Sequence, residues 1–289
     1  MYGAIVGDIA GSPYEFTGIS APVDDRDLFP PNADYTDDTL LTLAVYRGVI
    51  DADGNEALGA QAIAQALKSF SHDFKLGRGG YGETFTKWAL SPGLQPLSSF
   101  GNGSAMRVSS IGWLFPTIEQ TERWAGISAA VTHNHPEGIK GAQSTAAAIF
   151  MARTGHTKEM IKRYTQLHFG YNTELSWKIA ALGNNGGLSC QTTVPEAIEA
   201  FLQADSFEHC LRLAISLGGD TDTRAAIAGS IAEPFFGIPN ELDSVGQYRG
   251  AVRSRLPRAL TELLDDFEMR TVAQRLAAVI HRMRKSCAC

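Results

Sequence analysis

Apolar residues recur three and four positions apart along most of the chain, which is the spacing of one face of an α-helix. Leu41, Val45 and Val49 follow this spacing. Alternating runs of β-branched residues, which would indicate strands, are almost absent. The pattern predicts an all-α fold with helices at residues 40–50, 56–70, 121–131, 137–153, 157–168, 195–203, 206–217, 221–232, 257–266 and 270–284.

Three of these helices have a recognisable start. Thr121 and Thr157 each precede a glutamate within the first turn, and a threonine hydroxyl can accept a hydrogen bond from a first-turn N–H. Pro195 is expected in a first turn as well, because a proline lacks an N–H that would be unpaired there anyway.

Glycine is abundant and its placement is informative. Gly3, Gly7 and Gly11 fall four apart, so on a helix they share one face, and this predicts that a neighbouring backbone comes close. The stretches 77–82 and 100–104 are rich in glycine and are predicted to be loops that a ligand can approach closely.

Size and composition predict a globular protein. The chain has 289 residues, of which 44% are hydrophobic and 19% charged, a balance that disfavours disorder. No composition shift, internal repeat or low-complexity linker interrupts it, so a single domain over residues 1–289 is the simplest expectation. The net charge is −6 without a basic block, which disfavours nucleic acid as the main partner.

The expected location is cytoplasmic. Residues 1–11 contain no basic residue and include Asp8, so they predict neither a signal peptide nor a membrane span. The spacing of the four cysteines indicates neither a disulfide framework nor a zinc site. We therefore expect a reduced protein that has no membrane partner.

Two short acidic stretches stand directly before apolar runs. The first is Thr36-Asp37-Asp38-Thr39, and the second is Gly218-Gly219-Asp220-Thr221-Asp222-Thr223. Aspartate and threonine also cap helices, so helix capping alone would explain either stretch. If the two stretches meet, however, their carboxylates would repel one another unless cations neutralised them. Carboxylate and hydroxyl oxygens suit a hard cation such as Mg²⁺, and neither stretch offers the Cys or His typical of zinc sites.

Other site motifs are weaker. Residues 51–55 begin like a calcium loop, but the glycine comes too early, so an exposed turn is expected. His133 and His135 form one His-x-His pair, and a ligand-contacting or structural role is expected before a metal site. Neither a phosphate-binding loop of the Gly-x4-Gly-Lys type nor a Gly-x-Ser-x-Gly elbow is present.

Five motifs in order then resemble the ADP-ribosylglycohydrolase family, which includes dinitrogenase-reductase-activating glycohydrolase and the animal ADP-ribosylhydrolases. The motifs are residues 7–15 (GDIAGSPYE), 36–39 (TDDT), 101–107 (GNGSAMR), 132–136 (THNHP) and 218–223 (GGDTDT). The match spans residues 1 to about 238. The resemblance implies a compact all-α domain with a cleft that holds two Mg²⁺ or Mn²⁺ ions.

The resemblance also implies roles for individual residues. Metal ligands would be Thr36, Asp37, Asp38, Asp220, Asp222 and Thr223. Catalytic groups would come from Glu15, Asp37, Asp38 and Asp222. Substrate would contact Tyr81, Gly82, Phe100, Gly101, Asn102, Gly103, Ser104, Met106 and His133, with the 101–104 loop holding the diphosphate through its N–H groups. Asp8 and His135 are expected to be structural, and Arg224 is expected to be solvated on a helix surface.

The function that the resemblance implies is metal-dependent hydrolysis of the bond between ADP-ribose C1′ and an arginine-, serine- or otherwise O-linked acceptor. The partners would be an ADP-ribosylated protein or small molecule, with ADP-ribose as product. Two alternatives stay open at this point: a catalytically silent protein that binds ADP-ribose or a partner on the same fold, and a dinuclear phosphohydrolase that acts on the diphosphate. Product identity distinguishes them, because phosphohydrolysis yields AMP.

Overall fold

The computed structural model describes residues 1–18, 27–173, 187–239 and 245–286, except for the side chains of 245–247 and 275–286. In these residues the regular elements are helices, as the sequence predicts, and one isolated antiparallel bridge joins Gly101 to Ser189. The α-helices are α1 (Tyr2–Gly11), α2 (Asp37–Asp51), α3 (Glu56–Asp73), α4 (Glu83–Leu90), α5 (Gly103–Met106), α6 (Ser109–Leu114), α7 (Ile118–Ala130), α8 (Pro136–Arg153), α9 (Lys158–Phe169), α10 (Cys190–Gln203), α11 (Phe207–Ser216), α12 (Thr221–Phe236), α13 (Val245–Arg255) and α14 (Arg258–Ser286).

Helix α12 lies at the centre of the fold. Residues 221–232 are all buried, and the helix contacts α1, α5, α8, α10 and α11. Helix α1 is buried along its whole length and packs mainly on α12. Both helices lie in the core, so neither needs the polar outer face of a surface helix.

The α1–α12 seam is formed by Gly3, Gly7 and Gly11 on α1 against the α12 backbone. A β-carbon at Gly7 would lie 2.0 Å from the carbonyl oxygen of Ala225, and one at Gly11 would lie 2.5 Å from that of Thr221. Only glycine fits such distances, so the predicted close approach on this helix face is confirmed.

Several predicted helix boundaries are confirmed. Thr157 caps α9 and accepts a hydrogen bond from the N–H of Met160. Residues 51–55 form the turn between α2 and α3, where Asp53 and Gly54 adopt positive φ and Asn55 caps α3.

Three predicted boundaries are wrong. Helix α7 is capped by Thr117, whose hydroxyl accepts from the N–H of Gln120, so Thr121 lies one turn inside the helix. Pro195 lies inside α10, which begins at Cys190. The helices predicted at 257–266 and 270–284 are one helix, α14, because residues 267–269 (Phe-Glu-Met) contain no helix breaker. Helices α1, α4, α5, α6 and α13 are not among the predicted helices, and α5 begins at Gly103, inside the stretch 100–104 that is predicted to be a loop. Within the described residues, no helix is both long and apolar enough to cross a membrane.

Candidate metal centre and cleft

Asp8 joins α1 to the start of α2. Its carboxylate accepts hydrogen bonds from the N–H of Thr36 at 2.9 Å, the hydroxyl of Thr36 at 2.7 Å and the N–H of Thr39 at 3.1 Å, and also from the Thr39 hydroxyl. The Thr36 hydroxyl in turn accepts from the N–H of Asp38 and caps α2. The first acidic stretch is therefore a helix cap, and Asp8 has the structural role that was expected of it.

The second acidic stretch begins with two glycines that have left-handed backbone angles. Gly218 has φ 70° and Gly219 has φ 63°, and this turn brings Asp220 to the start of α12. The Arg224 guanidinium stabilises the turn by donating to the carbonyl oxygens of Gly218 at 2.7 Å and Asp220 at 3.3 Å.

Arg224 is not solvated, so that expectation is wrong. Its side chain is fully buried and forms an ion pair of 2.8 Å with Glu196 on α10. A buried guanidinium is costly unless it is paired. The sequence does not reveal that a partner on another helix, Glu196, faces Arg224.

The two acidic stretches meet, as predicted. The Thr223 hydroxyl donates to the carboxylate of Asp38 at 3.2 Å. Carboxylate oxygens of Asp8, Asp38 and Asp222 all lie within 4.8 Å of one another, and so do those of Glu15, Asp220 and Asp222. Asp222 belongs to both groups. We call Asp8, Glu15, Asp37, Asp38, Asp220 and Asp222 the acidic cluster.

The acidic cluster is electrostatically strained. Burial first, and then the neighbouring carboxylates, that of Asp8 most, raise the pKa of Asp37 to about 8. Burial also raises the pKa of Asp8 to about 6, against the effect of its hydrogen bonds from Thr36 and Thr39. Burial and then carboxylate repulsion hold the pKa values of Asp38 and Asp222 well above the usual range. Repulsion of this kind is what a bound cation relieves.

The donor set fits a hard divalent cation. One carboxylate oxygen of Asp38, Oδ1, is buried and has no hydrogen-bond partner in the described part of the chain. Such an orphaned acceptor is costly unless something positive faces it. The two overlapping carboxylate groups offer only oxygen, the ligand type that Mg²⁺ and Mn²⁺ prefer.

Glu15 is held at the rim of the acidic cluster. The next residue, Phe16, has a left-handed φ of 50° and donates its N–H to the carbonyl oxygen of Gly219 at 2.8 Å, which ties this segment to the second acidic stretch. Burial raises the pKa of Glu15, and the nearby charge of Asp220 raises it further. Both effects make this carboxyl group easier to protonate than an exposed glutamate.

Another part of the cleft lining is the glycine-rich loop before α5. The Asn102 side chain donates to the carboxylate of Asp220 at 2.6 Å and so orients a member of the acidic cluster. The N–H of Gly101 donates to Ser99 and that of Asn102 to Leu188. The N–H groups of Gly103 and Ser104 have no acceptor within the described residues. Of these two residues Gly103 lines the cleft, so its N–H is available to a ligand.

Residues of the acidic cluster and of the glycine-rich loop line a cleft of about 400 Å³. Twelve of the predicted site residues line it: Glu15, Asp37, Asp38, Gly82, Gly101, Asn102, Gly103, Met106, His133, Asp220, Asp222 and Thr223. The other four, Thr36, Tyr81, Phe100 and Ser104, are not among the lining residues.

Each of these four side chains is engaged elsewhere. Thr36 caps α2, and the Ser104 hydroxyl donates to the carbonyl oxygen of Gly138 at 2.7 Å. The ring of Tyr81 lies against Phe85, and that of Phe100 meets His135 edge-on. His135 caps α8 through its ring nitrogen, which agrees with its expected structural role.

Sequence reasoning missed other lining residues. Phe16, Phe85 and Leu188 supply apolar surface, while Arg107 and Thr132 lie beside His133. Arg107 and Thr132 are the last and the first residues of two motifs that the sequence already marks, so a signal was present for both. Nothing in the sequence distinguishes Phe85 or Leu188 from ordinary core residues.

Comparisons with known proteins agree with this geometry. The family model described as ADP-ribosylglycohydrolase matches residues 1–285. The chain is 26% identical to ADP-ribosylhydrolase ARH3 of Bos taurus and to that of Homo sapiens, over 82% of this chain and 84% of each relative. It is also 26% identical to ADP-ribosyl-[dinitrogen reductase] glycohydrolase of Rhodospirillum rubrum, over 48% of this chain and 47% of that protein. A solved structure titled "ADP-ribosylglycohydrolase-related protein complex" superposes with a TM-score of 0.64 at 20% identity, covering 94% of this chain and 93% of the other, and it supports the fold.

Proposed function

The chain belongs to the ADP-ribosylglycohydrolase family and is a hydrolase of ADP-ribose glycosidic bonds, and we propose that it releases ADP-ribose from an arginine-linked or a serine- or otherwise O-linked acceptor in a metal-dependent reaction. This activity reverses ADP-ribosylation. The observation that carries the proposal is the acidic cluster. Asp222 belongs to both sets of three residues whose carboxylate oxygens lie within 4.8 Å of one another, and it lines the cleft.

Two divalent cations, Mg²⁺ or Mn²⁺, would be held by these overlapping groups. Asp38 and Asp222, with Asp8 behind them, would hold one cation, and Glu15, Asp220 and Asp222 would hold the other. Asp37, Thr223 and Thr36 remain our candidates for further oxygen ligands, although the Thr36 hydroxyl already serves as a cap. When bound, such cations supply Lewis acidity that orients ribose hydroxyls and lowers the pKa of a coordinated water.

The chain's own groups would then divide the remaining work. The N–H group of Gly103, with His133, would bind the diphosphate. Phe16 and Phe85 offer apolar surface to the adenosine. Asn102 keeps the Asp220 carboxylate in its orientation through the 2.6 Å hydrogen bond.

Glu15 is our candidate for the general base. As the water oxygen bonds to C1′ through an oxocarbenium-like state, the bond from C1′ to the acceptor breaks, Glu15 accepts one water proton, and the protonated Glu15 donates that proton to the departing acceptor atom. The raised pKa of Glu15 suits both halves of this transfer.

Product analysis tests the proposal. The purified protein is incubated with arginine-, serine- and acetyl-linked ADP-ribose in Mg²⁺, in Mn²⁺ or in EDTA, and the products are identified by mass spectrometry. Free ADP-ribose from one linkage, lost in EDTA, is expected. AMP as product would indicate a phosphohydrolase instead, and ADP-ribose binding without release would indicate the catalytically silent alternative.

A matched pair of variants tests the base. Glu15→Gln should lower kcat by about a hundred-fold or more while ADP-ribose still binds. Glu83→Gln is the control, because Glu83 also lines the cleft but is exposed and pairs with Lys87 at 2.6 Å. Equal kcat in the two variants would remove Glu15 from the mechanism.

A further inference from the structure

Arg107 is a fully buried guanidinium beside the cleft, and within the described residues it has no carboxylate partner. One of its terminal nitrogens donates to the carbonyl oxygen of Ser128 at 3.2 Å and to the hydroxyl of Thr132 at 2.7 Å. Its other two nitrogens are buried without a hydrogen-bond partner. A buried charge that is only partly satisfied is expensive, so Arg107 invites a functional explanation.

Thr132 connects Arg107 to His133. Its hydroxyl oxygen lies 2.7 Å from Nδ1 of His133 and is the acceptor for the Arg107 N–H. A guanidinium can only donate, so the threonine hydroxyl keeps its single proton for another acceptor. Nδ1 of His133 lies 2.7 Å away and can take that proton, in which case Nδ1 is the unprotonated ring nitrogen.

The remaining nitrogen of His133 then carries the proton. Nε2 would lie 3.2 Å from a β-carbon at Gly103 and 3.6 Å from one at Gly101, so it sits against the glycine-rich loop. His133 lines the cleft, and no protein acceptor for Nε2 exists among the described residues. A neutral histidine whose one N–H faces a cleft is a hydrogen-bond donor to whatever binds there.

We propose that Thr132 is a positioning residue which, with its hydroxyl oriented by Arg107, fixes His133 as the Nε2–H tautomer, so that Nε2–H donates to an anionic oxygen of the substrate. The inference rests on the proposed function only for the identity of that oxygen, a phosphoryl oxygen of ADP-ribose. The tautomer itself is a property of the ligand-free protein.

The charge on Arg107 supports the same state. Burial first, and then the adjacent charge of Arg107, lower the pKa of His133 to about 3. His133 therefore stays neutral and cannot gain a proton on Nδ1 at physiological pH. Without the Thr132 hydroxyl, the proton would be free to occupy either ring nitrogen.

Nitrogen NMR on the histidine-labelled full-length protein tests the tautomer. His133→Asn assigns the resonances by their loss. The wild type and Thr132→Ser are expected to have a protonated Nε2 and an unprotonated, hydrogen-bonded Nδ1. In Thr132→Val the Nδ1 resonance should move to that of a nitrogen without a donor, or split between tautomers. A protonated Nδ1 in the wild type, or an unchanged Nδ1 resonance in Thr132→Val, would overturn the inference.

Calorimetric titration with ADP-ribose tests the consequence. Thr132→Val should weaken binding about ten-fold, and Thr132→Ser should stay within about two-fold of the wild type, because a hydrogen bond to a charged group is at stake. The melting temperatures of both variants are compared first, so that loss of fold is not mistaken for loss of the hydrogen bond. Equal affinity in wild type and Thr132→Val would overturn this inference, whereas no ADP-ribose binding by the wild type would overturn the proposed function.

Discussion

Helices α1 and α12 form both the tightly packed α1–α12 seam and, at one end of it, part of the acidic cluster. Along the seam, glycines of α1 bring its backbone against that of α12, and the carboxylate beside Gly3, that of Glu233, is paired with the Met1 ammonium group. One residue after Gly7, Asp8 faces the start of α2, and its carboxylate lies within 4.8 Å of those of Asp38 and Asp222. The same pair of helices thus joins a region of favourable packing to a region of stored repulsion.

The difference between the two regions has a physical reason. Packing at the seam is favourable whatever the solution contains. The acidic cluster is unfavourable by itself, because burial and mutual repulsion raise the pKa values of its carboxyls. Its geometry persists because the seam and the caps around it hold it in place. Functional sites commonly carry such a cost in stability.

The largest expected effect comes from breaking the seam. Gly7→Ala would put a β-carbon 2.0 Å from a backbone oxygen, which forces the two helices apart and should lower the free energy of unfolding by more than about 3 kcal/mol. Gly250→Ala on α13 is the control, since a β-carbon there meets open space, and it should be neutral or slightly stabilising. Thermal unfolding compares the two. Equal melting temperatures would mean that the seam is not close-packed.

Neutralising the acidic cluster should separate stability from activity. Asp38→Asn should lower kcat at least about a hundred-fold, because several kcal/mol of catalysis depend on the metals. The same change should raise the melting temperature in EDTA, since it removes a buried carboxyl whose pKa is well above the usual range. Asp51→Asn, at the exposed opposite end of α2, is the matched control. A lower melting temperature for Asp38→Asn in EDTA would contradict the stored repulsion.

Metal removal should affect the acidic cluster and not the seam. Titrating Mg²⁺ or Mn²⁺ into EDTA-treated protein should raise the melting temperature by several degrees. A site occupied at a hundred times its Kd contributes about 2.7 kcal/mol. Calorimetry of wild type and Asp38→Asn measures the gain, which the variant should largely lose. An identical metal-induced gain in both proteins would place metal binding elsewhere.

A further prediction concerns His133, on the glycine-rich side of the cleft. The pKa of His133 is lowered to about 3 in the folded protein, so between pH 6.5 and 3 the unfolded chain binds one more proton. The stability contributed by neutral His133 is therefore complete above pH 6.5 and is lost as pH falls. His133→Asn should lose stability less steeply, by about 1.4 kcal/mol per pH unit in that window. Parallel curves of unfolding free energy against pH would contradict the buried, neutral histidine.

Much of the fold could be predicted because its signals are local. The three-and-four spacing of apolar residues locates most of the helices, and the spacing of Gly3, Gly7 and Gly11 predicts a close helix contact. Errors arose where a local signal had an alternative nearby. Thr117 and Thr121 are both capable caps four residues apart, and tertiary packing selects the first.

Residue types and their spacing are enough to predict the helical class, the order of the five motifs and a set of oxygen donors sufficient for a hard cation. Which of those donors converge depends on the fold, because Asp8 meets Thr36 and Thr39, and Asp38 meets Thr223, across 28 to 185 residues of chain. The same holds for the burial of Arg224 against Glu196 and for the path from Arg107 through Thr132 to His133. Residue type sets what a side chain can donate or accept, but long-range packing sets which partner it meets and how much water is left around it.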